Sequence, residues 1–154
     1  MRNLVVYKYV DAVSRTGSIR KAAELLSITP SALNRRILAL EEELGAPLFE
    51  RLGRGVRLSA AGGLIIDMFR RQLAEAEQLK SQLADLSGLR RGNVAVACSQ
   101  ALLPLFLPQQ INAYQREYSG VTFQVYVRDG EAAGEALLDY SADIALVSEP
   151  LPRA

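Results

Sequence analysis

Residues 18–37 read SIRKAAELLSITPSALNRRI, and this stretch predicts two short amphipathic helices joined by a tight turn. Ser18 can cap the first helix. Its apolar face comprises Ile19, Ala22, Ala23 and Leu26. Thr29 followed by Pro30 is a strong start for the second helix, because threonine accepts a hydrogen bond at the N-cap and proline fits the first helical position. The pattern is typical of a helix-turn-helix.

The second helix of this pair has one apolar and one polar face. Its inward-facing residues follow helical spacing and are Leu33, Ile37, Leu40 and Leu44. Ser31, Asn34 and Arg35 lie on the opposite side near the N-terminus, where a recognition helix presents groups that read DNA bases. An ordinary helical hairpin with solvated polar residues is the alternative, because the helix-turn-helix pattern alone is only moderately specific. We interpret these three side chains as candidate base-reading residues.

The composition narrows the class of protein. The chain has 154 residues, of which 49% are hydrophobic and 23% are charged, and this suits a soluble globular protein of one or two domains. It has no apolar run long enough to span a membrane and no secretory signal at its start, so we expect a cytoplasmic protein. One cysteine and no histidine argue against an internal disulfide, a metal site or histidine-based catalysis. We therefore expect no cofactor and no enzymatic activity.

The net charge of +1 conceals an uneven distribution of charged residues. Residues 1–58 carry ten Lys or Arg against six Asp or Glu, a net charge of +4. Residues 59–154 carry eight against eleven, a net charge of −3. The basic part contains the helix-turn-helix, and a positive excess of this kind is expected where a domain neutralises DNA phosphates.

A helix before the helix-turn-helix and a hairpin after it are predicted to complete an N-terminal domain. A helix at residues 3–15 is expected to pack behind the pair, because its apolar residues follow helical spacing. Gly45 supplies a C-cap for the second helix of the pair, and Pro47 prevents it from continuing. Residues 48–49 and 56–58 can then pair as two short strands around a glycine-rich turn. The arginines of this hairpin, which can reach phosphates or the minor groove, are Arg51, Arg54 and Arg57. A surface hairpin with incidental arginines is the alternative, and we favour a DNA-contacting wing.

Residues 1 to about 65 resemble the N-terminal domain of LysR-type transcriptional regulators. The resemblance depends on six short motifs: Gly17-Ser18, Ala22-Ala23-x-Leu25, Pro30-Ser31-Ala32-Leu33-x-Arg35, Leu40-Glu41-Glu42-Glu43-Leu44-Gly45, Pro47-Leu48-Phe49-x-Arg51 and Leu58-Ser59-x-Ala61-Gly62. It implies that the second helix of the pair enters the major groove of double-stranded DNA and that the hairpin is a wing. The residues that would contact phosphates or the minor groove are Ser18, Thr29, Arg36, Arg51, Arg54 and Arg57. Pro30 and Leu38 stand where this family often has a glutamine and a basic residue.

A long helix is predicted from Ser59, which can cap it, to about Ser87. A heptad seam runs along this helix through Phe69, Gln72, Ala76, Leu79, Leu83 and Leu86. The alternative is an amphipathic helix packed on its own domain, but about 28 residues span about 42 Å, which exceeds the small domain. We therefore predict that the seam pairs two copies of the chain, and the helix is similar to the family's linker helix. The sequence does not separate a dimer from a tetramer.

The pattern changes after residues 87–92, SGLRRG, which we interpret as a domain boundary. Strands and helices then alternate, with a strand at 94–98, a helix at 102–118, a strand at 121–127, a helix at 131–138 and a strand at 144–147. This alternation is typical of a parallel sheet with crossover helices, whose ligands bind at the carboxyl ends of the strands. Candidate ligand-binding residues at these ends are Ser99, Gln100, Arg128, Gly130 and Ser148.

The family resemblance implies a small carboxylate as inducer, which free amides at a helix N-terminus and Arg128 would favour. A purely structural role, in which Ser99 only caps its helix, remains open. Cys98 is interpreted as a small buried hydrophobe rather than a redox sensor, because the chain has no second cysteine to resolve an oxidised form. Tyr140 stands where the family commonly has glycine.

We predict a mainly α winged helix-turn-helix domain at residues 1–58, a linker and dimerisation helix at 59–88, and an incomplete α/β effector-binding domain at 89–154. This last part is expected to hold a parallel sheet and to be periplasmic-binding-protein-like. The predicted function is a transcriptional regulator that binds an inverted-repeat operator as a dimer or tetramer and responds to a small anionic inducer. The alternative is a small-molecule-binding α/β module whose helical N-terminus only oligomerises and which has no salt-dependent affinity for DNA.

Overall fold

The computed structural model describes residues 2–86 and 90–148 of the chain. The chain divides into two compact units, Met1–Ala74 and Glu75–Ala154. Residues 87–89, in the predicted domain boundary at 87–92, lie outside the described residues. Within the described ranges, no helix is both long enough and apolar enough to cross a membrane.

The first unit is a winged helix-turn-helix, as predicted. Its elements in chain order are α1 (Arg2–Thr16), α2 (Ile19–Leu25), α3 (Pro30–Leu44), β1 (Phe49–Arg51), β2 (Val56–Leu58) and the beginning of α4 (Ala60–Leu86). The two strands pair antiparallel, with Phe49 opposite Leu58 and Arg51 opposite Val56. The first strand begins one residue later and ends two residues later than predicted, since it extends from Phe49 to Arg51.

Local hydrogen bonds explain where α2 and α3 begin and end. The Ser18 hydroxyl accepts a hydrogen bond from the amide of Lys21 at 3.4 Å. The Thr29 hydroxyl accepts one from the amide of Ala32 at 3.3 Å. Gly45 ends α3 in the left-handed conformation, with φ of 68°. The predicted caps are therefore confirmed, and each depends on residues that are close together in sequence.

The core of the first unit is built from α1, α2, α3 and the first half of α4. Its fully buried members are Val10, Val13, Ala22, Ala23, Leu33, Ile37, Leu48, Ile66 and Phe69. The prediction that Leu44 faces inward is wrong, because its side chain is 42% exposed. Leu44 is the last residue of α3, and the core on this helix is formed by Leu33 and Ile37, with Leu40 at its margin.

An ion pair that the sequence did not indicate joins α1 to α4. Arg70 Nε donates to Asp11 Oδ1 at 2.8 Å, and Arg70 also donates to the Ser14 hydroxyl at 3.4 Å. The other Asp11 oxygen accepts from Arg15 at 2.8 Å. Only 14% of the Arg70 side chain is exposed, so this pair is screened less by solvent than a surface pair. It holds the first half of α4 against the helix-turn-helix.

The second unit contains a parallel sheet, as predicted. After the end of α4 come β3 (Gly92–Cys98), a short 3-10 helix (Gln100–Leu102), α5 (Phe106–Glu117), β4 (Val121–Val127), α6 (Gly130–Leu138) and β5 (Ile144–Leu146). The strand order is β4-β3-β5, and both pairings are parallel. Helices α5 and α6 are the crossover connections, so all three strands end at the same edge of the sheet.

The first helix of this unit starts later than predicted. The sequence indicated a helix from Leu102 to Tyr118, whereas α5 begins at Phe106 after the 3-10 helix. In a helix starting at Leu102, Pro108 would lie in the interior, where its missing amide and its ring disrupt the hydrogen-bond pattern. Starting at Phe106 places Pro108 in the first turn, where the amide has no intrahelical acceptor.

Candidate nucleic-acid interface

The polar face of α3 presents a compact set of hydrogen-bonding and cationic groups. Ser31, Arg35 and Arg36 are exposed, and Asn34 is half-buried. The hydroxyls of Thr29 and Ser31 lie 3.3 Å apart, so the first turn carries two adjacent hydroxyl groups. Ser31, Asn34 and Arg35 lie on the side of α3 opposite the buried Leu33, whereas Arg36 lies about 60° around the helix from Leu33, at the edge of the core-facing side.

Ser18 and Thr29 cap the two helices of the helix-turn-helix and are also predicted phosphate contacts. Ser18 and Thr29, predicted to contact phosphates, both use their hydroxyl oxygens as N-caps. Each hydroxyl still has a hydrogen to donate, because capping uses only a lone pair of the oxygen. Thr29 is exposed and Ser18 is half-buried. Both residues lie at helix N-termini, where backbone amides favour an anionic group.

The wing is fastened to the helix-turn-helix at two points. On α3, Glu41 Oε1 accepts hydrogen bonds from the amides of Leu48 at 2.6 Å and Phe49 at 3.1 Å. At the turn between α1 and α2, the amide of Val56 donates to the carbonyl of Gly17 at 2.9 Å. Gly55 has φ of 85°, and a Cβ at this position would overlap the Gly17 carbonyl oxygen. The close approach of the two glycines therefore fixes the wing beside the α1–α2 turn, and Glu41 fixes its start against α3.

Glu41 is a functional residue that the sequence reasoning missed, apart from its place in a family motif. Glu41, Glu42 and Glu43 all lie in the second half of α3, where a carboxylate is unfavourable for the helix dipole, so the sequence does not single out Glu41. Its partners are seven and eight residues further along the chain, beyond the reach of helical spacing rules.

Glu41→Ala is expected to lower the free energy of unfolding of the first unit by about 2 kcal/mol, because two amides lose a charged acceptor. Urea unfolding followed by circular dichroism measures the change. Glu43→Ala is the matched control, since Glu43 is exposed on the same helix, and its effect should stay below about 0.5 kcal/mol. Equal effects of the two substitutions would contradict the role assigned to Glu41.

The three wing arginines differ in their surroundings. Arg51 and Arg54 are exposed, and no ion pair within residues 2–86 involves either of them. Arg57 lies opposite Glu50 across the hairpin, and the two side chains form an ion pair at 2.8 Å. Arg57 would have to share or exchange this partner to reach a phosphate. Arg51 and Arg54 are therefore the better placed of the predicted wing contacts.

The predicted seam on α4 is corrected at one position. Phe69 is 1% exposed and stacks on Tyr7 with ring centroids 4.0 Å apart, so it belongs to the core of the first unit. Heptad spacing missed this because it does not show which turn of a long helix is already covered. Of the remaining predicted members Ala76 is half-buried, and the exposed ones are Gln72, Leu79, Leu83 and Leu86. Leu64 and Met68, which the sequence reasoning did not select, are also exposed, and they lie two turns and one turn before Gln72, respectively, on its side of the helix.

The candidate ligand residues lie where the strands of the parallel sheet end. The buried Ser99 hydroxyl accepts a hydrogen bond from the amide of Ser148 at 3.4 Å, which brings the ends of β3 and β5 together. It does not cap the 3-10 helix. Gln100 and Arg128 are exposed, and Arg128 donates to the carbonyl of Val127 at 2.8 Å. Gly130 begins α6 with φ of 49°.

The backbone conformation at Tyr140 accounts for the glycine that the family commonly has at this position. The residue has φ of 57°, in the left-handed region that glycine adopts without steric cost. Its amide donates to the carbonyl of Leu137 at 3.3 Å, within the turn that ends α6. The loop before β5 thus keeps a backbone conformation suited to glycine, although the chain carries a tyrosine.

Cys98 is fully buried at the end of β3, in agreement with its interpretation as a small hydrophobe. Burial, followed by the nearby carboxylate of Asp129, raises the pKa of the Cys98 thiol. We expect the thiol of the folded protein to react with Ellman's reagent at pH 8 roughly tenfold or more slowly than that of the urea-unfolded chain. Equal rates in the folded and unfolded protein would contradict this expectation of a slow reaction.

Because the folded state holds the Cys98 proton more tightly, the free energy of unfolding should fall as the pH rises above about 8.5, and Cys98→Ala should remove this contribution.

The capped helix pair, the docked hairpin and the exposed polar face of α3 together define the class as winged helix-turn-helix proteins. The model of bacterial regulatory helix-turn-helix proteins of the lysR family matches residues 4–63, and that of the LysR substrate binding domain matches residues 87–154. The chain belongs to the LysR family of transcriptional regulators.

Relatives and solved structures agree with this assignment. The chain is 28% identical to the HTH-type transcriptional activator CmpR of Synechocystis over 97% of its own length and 50% of the relative's. It is 31% identical to the HTH-type transcriptional regulator YtlI of Bacillus subtilis, over 93% of the chain and 46% of that protein. A crystal structure of the CbnR_DBD–DNA complex is 32% identical with a TM-score of 0.52, and the match covers 55% of this chain and 97% of that one. The chain spans about half the length of these two curated relatives.

Proposed function

We propose that this chain is a DNA-binding transcriptional regulator of the LysR type that recognises an inverted-repeat operator. The organisation expected from the sequence is kept, with residues 1–58 binding DNA, 59–88 linking and pairing two copies, and 89–154 supplying the first part of an effector-binding domain. A regulator of this kind works on the chromosome, so the proposal places it in the bacterial cytoplasm.

One observation carries the proposal: α3 and the wing both expose polar and basic groups, and hydrogen bonds from the wing to Glu41 of α3 and to Gly17 hold the wing on the helix-turn-helix. Ser31, Asn34 and Arg35 are proposed to read base edges in the major groove, since hydroxyl, amide and guanidinium groups are the side chains that pair with bases. The proposed contacts to phosphates or the minor groove are Ser18, Thr29, Arg36, Arg51, Arg54 and Arg57. The crystal structure of CbnR_DBD in complex with DNA supports the assignment, because the match to this chain covers 97% of that chain at 32% identity.

The rigid fastening of the wing supports a site that is organised before DNA binds. The Glu41 carboxylate ties the start of the wing to α3, and the Gly17 carbonyl ties its second strand to the α1–α2 turn. A pre-positioned wing does not have to be ordered on binding, so less affinity is lost to conformational entropy. The electrostatic attraction between the wing arginines and the DNA phosphates would then not be offset by the cost of ordering the wing.

Self-association through α4 is part of the proposal. Leu79, Leu83 and Leu86 are 52%, 54% and 85% exposed, which is unusual for three leucines on one helix face. A second copy covering this face would place two recognition helices about a two-fold axis, matching an inverted repeat. A homodimer is sufficient for this geometry, and a tetramer would pair two such dimers.

An effector response is proposed for the second unit. Ser99, Gln100, Arg128, Gly130 and Ser148 are candidates for binding a small anionic inducer at the carboxyl edge of the sheet. The parallel register supports them, because Cys98 lies beside both Val127 and Leu146, so the residues that follow the three strands lie close together. Hydroxyl and amide donors beside an arginine suit a carboxylate.

Selection of bound sequences from a random DNA pool by the 154-residue protein tests the proposal. The expected result is an inverted repeat, with affinity for the selected site falling steeply as salt concentration rises. Binding that stays weak and shows no sequence preference at any salt concentration would overturn it. A ligand-binding module that only oligomerises through its helices would give that second result.

A further inference from the structure

Leu38 is the one large apolar side chain on the polar face of α3. At about 100° per residue, it falls within about 60° of Ser31, Asn34 and Arg35 around the helix axis. It lies about 100° or more away from the buried Leu33 and Ile37, so it does not belong to the core. Its side chain is 50% exposed, in the middle of the surface proposed to enter the DNA groove.

The surroundings of Leu38 restrict what it can contact. Asn34 precedes it by one turn, and Arg35, three residues before it, lies about 60° away around the helix axis. A protein partner would need a larger apolar area than a single leucine offers, since exposed apolar residues that occur singly are not docking surfaces. A suitable partner instead presents one small apolar group among hydrogen-bond acceptors and negative charges.

We propose that Leu38 is a specificity-determining residue that contacts the C5-methyl group of a thymine in each half of the operator. The thymine methyl is the one apolar group that bases present in the major groove, and acceptor atoms and phosphates surround it. This inference rests on the proposed function, since it requires α3 to lie in that groove. It adds a contact through which the chain distinguishes thymine from cytosine at one position of each half-site.

Replacement of single thymines by deoxyuridine tests this contact, because it removes the methyl group and keeps the Watson–Crick pairing. Each thymine of the selected operator is replaced in turn, symmetrically in both half-sites. We expect one position at which the replacement weakens binding of the unaltered protein by about fourfold per half-site, the effect of one buried methyl group. For Leu38→Ala the same replacement should have no effect.

Two further variants make the result specific to Leu38. Leu25→Ala, which removes a 74% exposed leucine from α2, should keep the full deoxyuridine effect. Leu38→Lys should lose the preference for thymine at that position and steepen the salt dependence of binding by about one unit of log–log slope per protomer, or about two for a dimer. Circular dichroism melting of each variant checks that the fold is retained.

The possible outcomes separate the inference from the function on which it rests. A pool with no enriched sequence would overturn the proposed function and this inference with it. An enriched site at which no deoxyuridine replacement weakens binding would overturn the inference alone. An effect of deoxyuridine that persists in Leu38→Ala would overturn it as well, because another side chain would then contact the methyl group.

Discussion

Gly62→Ala is expected to lower the free energy of unfolding of the first unit by about 3 kcal/mol. Gly62 is buried at the start of α4, and a Cβ there would overlap the carbonyl oxygen of Leu48 and lie 3.0 Å from a methyl carbon of Leu58. That carbonyl cannot move freely, since it accepts a hydrogen bond from the amide of Ser59 at 2.9 Å and the Leu48 side chain is 1% exposed. The cost is therefore steric strain in the backbone that connects α3, the wing and α4.

The neighbouring glycine supplies a matched control. Gly63 has no atom within 4 Å of its Cβ position, and it lies in the same turn of α4. Gly63→Ala should raise stability by about 0.5–1 kcal/mol, because alanine loses less conformational freedom than glycine in a helix. Hydrogen exchange of the α3 amides, measured against urea concentration, reports the stability of the first unit specifically. Equal changes in the two variants would show that the close approach of Gly62 to Leu48 does not control packing.

Arg35→Ala is expected to weaken binding to the selected operator by about 1–3 kcal/mol, or about 5- to 150-fold in Kd. Arg35 is exposed on the polar face of α3, so its removal takes nothing from the core. If Arg35 reads a base edge, the variant should also lose preference at one position of each half-site. Fluorescence anisotropy with the operator and its single-base variants measures both effects.

Two arginines serve as controls for the loss of one positive charge. Arg54→Ala, at the tip of the wing, should weaken all sequences alike and reduce the salt slope by about one unit per protomer, or about two for a dimer. Arg116→Ala, on an exposed position of α5 in the second unit, should leave operator binding unchanged. A uniform loss of affinity for every sequence in Arg35→Ala would contradict base reading and assign Arg35 to the phosphate backbone.

Much of the fold of the first unit could be predicted because its boundaries are set by neighbouring residues. Ser18 and Thr29 bond to amides three residues further along, and Pro30 has the backbone angle of a first helical residue. Such signals occupy four or five consecutive positions, so they are readable without knowledge of the remaining chain. The same reasoning located the start of α4 at Ser59, whose hydroxyl accepts from the amide of Gly62 at 3.0 Å.

Two of the errors concern how far a helix face is covered by distant parts of the chain. Phe69 occupies a heptad position, yet it is buried because Tyr7 from α1 stacks on it. Leu44 has the spacing of a core residue, yet the core does not extend to the last turn of α3. Periodicity shows which residues share a face of a helix, but not how far along the helix that face is covered.

Some features of the candidate DNA interface could be predicted from the sequence and others could not. The polar face of α3 and the basic hairpin follow from residue type and spacing, and so does the alternation of strands and helices along the second unit. The placement of the hairpin does not, since it depends on Glu41, seven residues before Leu48, and on Gly17, 39 residues before Val56. Hydrogen bonds within one turn of helix form wherever the local residues allow them. Contacts between residues far apart in the sequence form only after the chain has folded. Their partners are set by distances in the tertiary structure, which the sequence does not show directly.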